Sequence, residues 1–180
     1  MEKRAVHKKK VCLLGDSAVG KTSLIRKYVL DEFSDAYLTT IGTKTSKKEI
    51  SLTVPEEEKT YDVTLMIWDI MGQHSFRTIL KEAYFHGAHG GIVVCDLTRK
   101  DTLENIPGWI ETLTGVVGDI PLVFIGNKCD LTDEAEFGLE DLETMARGYG
   151  VQACYLTSAK DGSNVDNVFT TIAQESLKQD

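Results

Sequence analysis

Cysteine is scarce in this sequence, and its placement excludes the usual cysteine-ligated metal sites. The four cysteines are Cys12, Cys95, Cys129 and Cys154, and no two of them lie two or three residues apart. Three of them stand inside apolar, strand-like runs, where cysteine behaves as a small core residue. Thiols without such pairing are typical of reducing compartments, so we expect a cytoplasmic protein.

Long hydrophobic runs and an excess of basic residues are also missing. The apolar runs are far shorter than the roughly 20 residues that a membrane-spanning helix needs. The basic N-terminal residues precede only a strand-length apolar run, which is not the pattern of a signal peptide. The net charge of −8 and the pI near 5.0 argue against nucleic acid as the main ligand, because phosphate backbones require basic surfaces. A single nucleotide is not excluded, since a phosphate pocket is local.

The most informative stretch runs from Gly15 to Thr22 and has the spacing G-x-x-x-x-G-K-T. It follows the apolar run Lys10–Leu14 and precedes a helical pattern, which is the context that a phosphate-binding loop needs. The glycines allow the backbone amides to converge on an anion, and the helix adds its positive end. We expect Lys21 to reach the outer phosphates and Thr22 to offer its hydroxyl to a magnesium ion.

Strands and helices alternate along the 180 residues, which we interpret as one domain with a flexible lead-in over residues 1–9. Most of the predicted strands are short apolar runs, as in a parallel sheet covered on both faces. Two of them flank Pro55–Glu58 and predict a hairpin, hence one antiparallel edge strand. The predicted strands are Lys10–Leu14, Thr43–Val54, Lys59–Trp68, Gly91–Cys95, Leu122–Gly126 and Ala153–Leu156.

The helical periodicities recur at intervals of three and four residues, for example at Leu103, Ile106, Ile110 and Leu113. Pro107 falls inside this pattern and removes a helical hydrogen bond. It predicts either a kink or a helix that begins only near Pro107. The alternation as a whole predicts a doubly wound α/β domain, in which ligands bind at the carboxyl ends of the strands.

Polar residues follow several of the predicted strands. Asp69 can hold a magnesium ion through water, the amide of Gly72 can meet a terminal phosphate, and Gln73 can orient an attacking water. Asn127-Lys128-Cys129-Asp130 follows the fifth strand. The carboxylate of Asp130 accepts two hydrogen bonds and donates none, which matches the two adjacent donors of guanine and leaves adenine unsatisfied. After the sixth strand, a backbone amide near Ser158 could meet the guanine oxygen, and Lys160 could cover the ring.

These stretches together resemble a family, the Ras superfamily of small GTPases, and most closely its Rab branch. The resemblance covers Lys10 to Leu177, and the stretches that carry it are GDSAVGKT, DEFSDAYLTTIG, WDIMGQHSFRTI, HGAHGGIVVCDLT, GNKCDL and TSAK. It implies a P-loop NTPase G domain: a mostly parallel six-stranded sheet with one antiparallel edge strand and about five flanking helices. It also implies slow hydrolysis of GTP to GDP and a nucleotide-dependent molecular switch.

The resemblance further implies a set of site residues and two cofactors, Mg²⁺ and GTP or GDP. Catalysis would involve Gln73, Lys21 and Gly72, and the metal ligands would be Thr22, Thr40 and, through water, Asp69. Phe33 would pack on the guanine and Tyr37 would lie over the phosphates, although half-buried loop aromatics would look the same in sequence. The nucleotide-binding residues would be Asp16, Ser17, Ala18, Val19, Gly20, Lys21, Thr22, Ser23, Phe33, Tyr37, Thr40, Gly72, Asn127, Lys128, Asp130, Ser158, Ala159 and Lys160.

The implied partners are effectors, an exchange factor and a GTPase activator, which would bind through residues 34–46 and 69–82. We expect a monomer that binds no nucleic acid. No cysteine follows Cys154, so no prenylation signal is visible. Either the protein works without a lipid anchor, or a lipidated tail that would make it a peripheral membrane protein has been removed.

Ile70-Met71 departs from the family, which usually has threonine and alanine there. Met71 would either crowd the second switch and alter nucleotide exchange or hydrolysis, or swing into a neighbouring apolar pocket. The departure keeps open an alternative function, a GTP-binding interaction module with little or no hydrolysis. An ATP-using P-loop kinase is disfavoured by Asp130 and by the absence of a second substrate domain.

Overall fold

The computed structural model describes residues 5–36, 43–70 and 80–179. These residues form six strands, which are β1 (Val6–Leu14), β2 (Thr43–Val54), β3 (Lys59–Ile70), β4 (Gly90–Asp96), β5 (Leu122–Asn127) and β6 (Cys154–Leu156). The helices of the described part are α1 (Lys21–Leu30), α2 (Lys81–Phe85), α3 (Lys100–Glu104), α4 (Ile106–Val117), α5 (Leu139–Arg147) and α6 (Val165–Leu177). Short 3-10 turns follow β2 and precede α5, at Pro55–Glu57 and Thr132–Glu134.

The strands form one sheet in the order β2-β3-β1-β4-β5-β6. Only β2 runs antiparallel to its neighbour: it pairs with β3 from Thr43 opposite Ile70 to Val54 opposite Lys59. All the other pairs are parallel. The predicted fold class is therefore confirmed, including the hairpin that places an antiparallel strand at one edge. The carboxyl ends of the five parallel strands meet at one edge of the sheet.

A hydrophobic layer covers each face of the sheet. On one face, Leu24 of α1 and Ile172 of α6 pack against the strands, and the rings of Tyr28 and Phe169 stack with centroids 4.0 Å apart. On the other face, Trp109 of α4 and Leu142 of α5 are fully buried. Each large buried side chain contributes about 1.5–3 kcal/mol. Two-sided burial explains why β4, which is entirely buried, reads as a continuous apolar run.

The start of β1 differs from the prediction. The strand begins at Val6, and residues 6–9 pair with Asp62–Leu65 of β3, so the expected flexible lead-in is wrong for them. The prediction placed Lys9 outside the strand because charged residues are usually exposed, but Lys9 is 98% buried in the fold. Its amino group donates a hydrogen bond to the Ser176 carbonyl, 2.9 Å away on α6, which offsets the cost of burying it.

Pro107 lies at the beginning of a helix. The chain forms the short helix α3, breaks at Asn105, and starts α4 with the proline in its first turn. The second of the two predicted alternatives is therefore confirmed. A proline is tolerated there because the first-turn amides of a helix have no intrahelical partner.

Two further observations concern membrane-spanning helices and the cysteines. Among the residues that the structure describes, no helix has both the length and the apolar composition needed to cross a bilayer. All four cysteines are free thiols, and burial raises the pKa of Cys12 to about 12. A buried thiol with such a pKa is unreactive near neutral pH.

Candidate functional site

A cavity of about 320 Å³ opens at the edge where the carboxyl ends of the parallel strands meet. It is lined by four segments: the loop between β1 and α1 with the start of α1, the chain that follows α1, the turn after β5, and the turn after β6. Twelve of the residues expected to bind a nucleotide line it: Ser17, Ala18, Gly20, Lys21, Thr22, Ser23, Phe33, Asn127, Lys128, Asp130, Ala159 and Lys160. The cavity thus joins the phosphate-binding motif to the segments expected to recognise the base.

The loop between β1 and α1 needs both of its glycines. Gly15 and Gly20 have φ angles of 145° and 102°, in the region that other residues rarely adopt. A Cβ atom on Gly15 would lie 2.2 Å from the Val94 carbonyl oxygen, and one on Gly20 would lie 2.2 Å from the side-chain nitrogen of Asn127. Helix α1 begins directly after the loop and has no side-chain cap, so its first amides face the cavity.

Lys21 is the first residue of α1 and is 94% buried. Its amino group donates hydrogen bonds to the carbonyl oxygens of Gly15 at 2.8 Å and Asp16 at 2.9 Å. Burial lowers the pKa of Lys21 to about 8, although the nearby carboxylates of Asp69 and Asp16 act in the opposite direction. A buried ammonium group inside a curved loop is suited to a strongly anionic ligand such as a phosphate chain.

Thr22 lines the cavity and contacts Asp69. The Thr22 hydroxyl donates a hydrogen bond to the Asp69 carboxylate, which is almost fully buried at the end of β3. A hydroxyl and a carboxylate are both oxygen donors of the kind that magnesium prefers. The two residues therefore fit the metal site that the sequence predicts.

The segment after β5 is tied to the phosphate-binding loop. The side-chain amide of Asn127 donates to the Val19 carbonyl at 2.9 Å, and Lys128 donates to the Ala18 carbonyl at 3.0 Å. The hydroxyl of Thr157 in turn donates to the Asn127 side-chain oxygen at 3.0 Å. These bonds fix the turns after β5 and β6 relative to the phosphate-binding loop.

Asp130 lies at the cavity wall, where its carboxylate accepts a hydrogen bond from the Ser158 hydroxyl at 2.7 Å. Ser158 itself is fully buried, so its side chain positions Asp130 and does not line the cavity. Ala159 lines the wall, and Lys160 is exposed at the rim. Phe33, on the opposite rim, is 38% exposed, which leaves an aromatic face free to pack on a planar ligand.

Two expected binding residues direct their side chains away from the cavity. The Asp16 carboxylate accepts hydrogen bonds from Asn105 at 2.6 Å and from the Trp109 indole at 2.8 Å. Val19 is fully buried in the core. Either residue could therefore bind a phosphate only through main-chain atoms, and the Asp16 side chain anchors the loop to the start of α4.

The cavity also contains residues that motif spacing did not reveal. Arg26 and Glu32 line it and form an ion pair of 3.1 Å beside Phe33. Arg26 could have been found, because it lies one turn after Thr22 on α1 and residues four apart share a helix face. Glu32 gave no such signal, since its position depends on how the chain leaves α1.

Several predicted residues lie outside the described part of the chain. They are Tyr37 and Thr40 of the first predicted switch and Met71, Gly72 and Gln73 of the second. Their roles remain predictions.

A comparison with family models and a comparison with individual proteins agree on one family. The sequence model of the Ras family matches residues 10–178. The chain is 35% identical over 167 residues to the human Ras-related protein Rab-19, an alignment that covers 92% of this chain and 74% of that protein. It is 36% identical over 178 residues to the Ras-related protein Rab-13 of Canis lupus familiaris, which covers 98% of this chain and 84% of that protein.

Proposed function

Because this chain belongs to the Ras family, we propose that its cavity binds GTP and GDP with magnesium at the residues described above. The family assignment confirms the prediction of a small GTPase that acts as a nucleotide-dependent switch, and it favours that function over a module that barely hydrolyses GTP. One observation carries the proposal for the site. The cavity brings the phosphate-binding loop and the Asp130 carboxylate together at the ends of the parallel strands.

The phosphate end of the site would be formed by the loop amides, Lys21 and the start of α1. Lys21 would exchange its bonds to the loop carbonyls for bonds to the outer phosphates, and its charge would then have a partner. Thr22 and Thr40 would hold magnesium directly, and Asp69 would hold it through water. Magnesium, when bound, would neutralise charge on the β- and γ-phosphates.

The base end of the site would select guanine. The Asp130 carboxylate, oriented by Ser158, would accept hydrogen bonds from the ring N–H and the 2-amino group of guanine. The amide of Ala159 is the candidate donor to the guanine oxygen, since the amides of Thr157 and Ser158 already donate to Gly126 and Ser163. Phe33 and the aliphatic part of Lys128 would cover the two faces of the ring.

Hydrolysis would depend on residues after β3. Gln73 would orient a water molecule in line with the γ-phosphate, and the Gly72 amide and Thr40 would sense that phosphate. Loss of the γ-phosphate would release both contacts, so the two switch segments would relax. With no arginine supplied by an inserted domain, we expect turnover of roughly 10⁻⁴ to 10⁻² per second, as in related GTP-binding switches, and dependence on an activating protein.

Effectors, an exchange factor and a GTPase activator would bind through the two switch segments. Of residues 34–46 and 69–82, through which we expect the partners to bind, Lys44 and Thr45 at the start of β2 are exposed. These polar residues stand where Rab proteins are commonly partly apolar, so we propose effectors that differ in their contacts from those of typical Rab proteins. We further propose a monomer that works in the cytoplasm.

Magnesium dependence tests the proposed metal site. We expect EDTA to speed dissociation of a fluorescent GDP analogue by at least about tenfold, because chelation would remove the magnesium ion that Thr22 would hold. Thr22→Ala should release the analogue fast with or without EDTA. Thr112→Ala is a suitable control, since that hydroxyl donates only to the Gly108 carbonyl within α4 at 2.7 Å. A Thr22→Ala protein that keeps the EDTA response would contradict the assignment.

Met71→Ala tests whether the departure from the family tunes the switch. We expect the change to alter the rate of GDP release or of GTP hydrolysis by about threefold or more, because it removes a long side chain next to Gly72. Stopped-flow release and single-turnover hydrolysis would measure the two rates. Met145→Ala, at a half-buried position on α5, controls for general loss of packing. If Met71→Ala leaves both rates unchanged, then Met71 has no role in the switch.

A further inference from the structure

The outer side of the phosphate-binding loop is held by three side chains on consecutive carbonyl groups. Asn127 donates to Val19 and Lys128 donates to Ala18, as described above. The third donor is Arg99, whose guanidinium Nη2 lies 2.8 Å from the Ser17 carbonyl oxygen. Arg99 belongs to the segment between β4 and α3, to which the sequence motifs gave no role.

These contacts determine which way the loop amides point. In a planar peptide unit the carbonyl and the N–H of the next residue point in opposite directions. A donor that holds the Ser17 carbonyl outside the loop therefore directs the Ala18 amide into the cavity. Lys128 directs the Val19 amide in the same way, and Asn127 directs that of Gly20.

The peptide between Ser17 and Ala18 needs such a restraint more than its neighbours do. Ala18 has a φ angle of 63°, in the left-handed region. A residue with a Cβ atom is disfavoured there by roughly 1–2 kcal/mol. Rotation of the preceding peptide would relieve that strain, but it would turn the Ser17 carbonyl toward the phosphates and the Ala18 amide away from them.

Asp96 fixes the position of Arg99. Its carboxylate is 99% buried and accepts bonds from the Arg99 Nε at 3.2 Å and the Lys128 amino group at 2.6 Å. The other oxygen accepts the amide and hydroxyl of Thr98 at 2.9 and 2.7 Å. Burial alone would raise the pKa of Asp96, but the bonds from Lys128 and Thr98 hold it below its ordinary value. An ionised carboxylate thus aligns two cationic side chains against neighbouring loop carbonyls.

We propose that Arg99, aligned by Asp96, is a positioning residue of the nucleotide site, which keeps the Ala18 amide directed at the phosphates. The inference rests on the proposed nucleotide site and extends it to a residue that does not line the cavity. Arg99 acts through the loop backbone, so its loss should weaken phosphate binding without changing the choice of base.

The test is GDP release from Arg99→Ala. We expect release about tenfold faster than from the wild type, the effect of losing one hydrogen bond from a charged donor. The ³¹P resonance of the bound β-phosphate should shift, because the amide facing it has moved. Arg99→Lys should recover part of both effects. Lys100→Ala, which removes an exposed neighbouring charge, should behave as the wild type.

Two results would overturn the inference. One is release of GDP from Arg99→Ala at the wild-type rate. The other is faster release with an unchanged ³¹P resonance and a lowered urea midpoint, which would mean that Arg99 only stabilises the fold. If the wild type itself binds no GDP, the proposed function fails together with the inference, so failure of the inference alone is recognisable.

Discussion

Asp130→Asn should lower the affinity for GTP by about 10²- to 10³-fold while creating affinity for xanthosine triphosphate. The asparagine side chain keeps one acceptor but presents an N–H₂ group to one of the two guanine donors. Each hydrogen bond to a charged acceptor contributes about 1.5–3 kcal/mol, and an unmatched pair of donors adds a desolvation cost. Xanthine carries an oxygen in place of the 2-amino group, so the asparagine amide can donate to it.

Competition binding with GTP, xanthosine triphosphate and ATP would measure this change. The fold should tolerate the substitution, because the asparagine oxygen can still accept the bond from Ser158. Asp133→Asn, an exposed acid in the next turn, is the matched control for the loss of one negative charge. If Asp130→Asn binds GTP as tightly as the wild type does, Asp130 is not the residue that recognises the base.

Lys21→Met should weaken nucleotide binding strongly without a matching loss of stability. We expect the affinity for GDP to fall by at least about 10²-fold, because the only buried lysine facing the phosphate-binding loop among the described residues is lost. The free energy of unfolding of the nucleotide-free protein at pH 7 should fall little or rise. Its lysine has a pKa of about 8 in the fold, so a buried charge that costs on the order of 3 kcal/mol is removed along with two hydrogen bonds.

Calorimetric titration with GDP and urea unfolding without nucleotide would separate the two effects. Lys100→Met is a control, since Lys100 is an exposed lysine and its loss should change neither quantity much. A Lys21→Met protein that loses GDP affinity only in proportion to a large loss of stability would show that Lys21 is structural.

Most of the fold could be predicted because its strands are buried on both faces. Such strands are short apolar runs between turn residues, and the predicted and observed bounds of β5 agree to within one residue. The start of β1 could not be predicted, because His7 and Lys8 do not differ in type from a solvated lead-in. What places them in the sheet is pairing with β3, which is far away in sequence.

Part of the candidate site could likewise be predicted from the sequence, and part could not. Lys21, Thr22 and Asp130 belong to motifs with fixed spacing, and the structure brings them to one cavity. Arg99 and Trp109 stand between two motifs, and their bonds to the loop depend on how β4 and α4 pack beside it. No local pattern marks an arginine that holds a carbonyl more than 80 residues away, so such a contact is visible only in three dimensions.

Single-turnover hydrolysis of GTP, beside a Gln73→Leu variant, tests the central claim that this chain is a switch timed by its own hydrolysis. The protein would be loaded with GTP and magnesium, and GDP formation would be followed by chromatography. We predict slow hydrolysis by the wild type, at roughly 10⁻⁴ to 10⁻² per second, and a rate at least about tenfold lower for Gln73→Leu at unchanged GTP affinity. Equal rates for the two proteins, or GTP that stays intact on the wild type, would contradict the account.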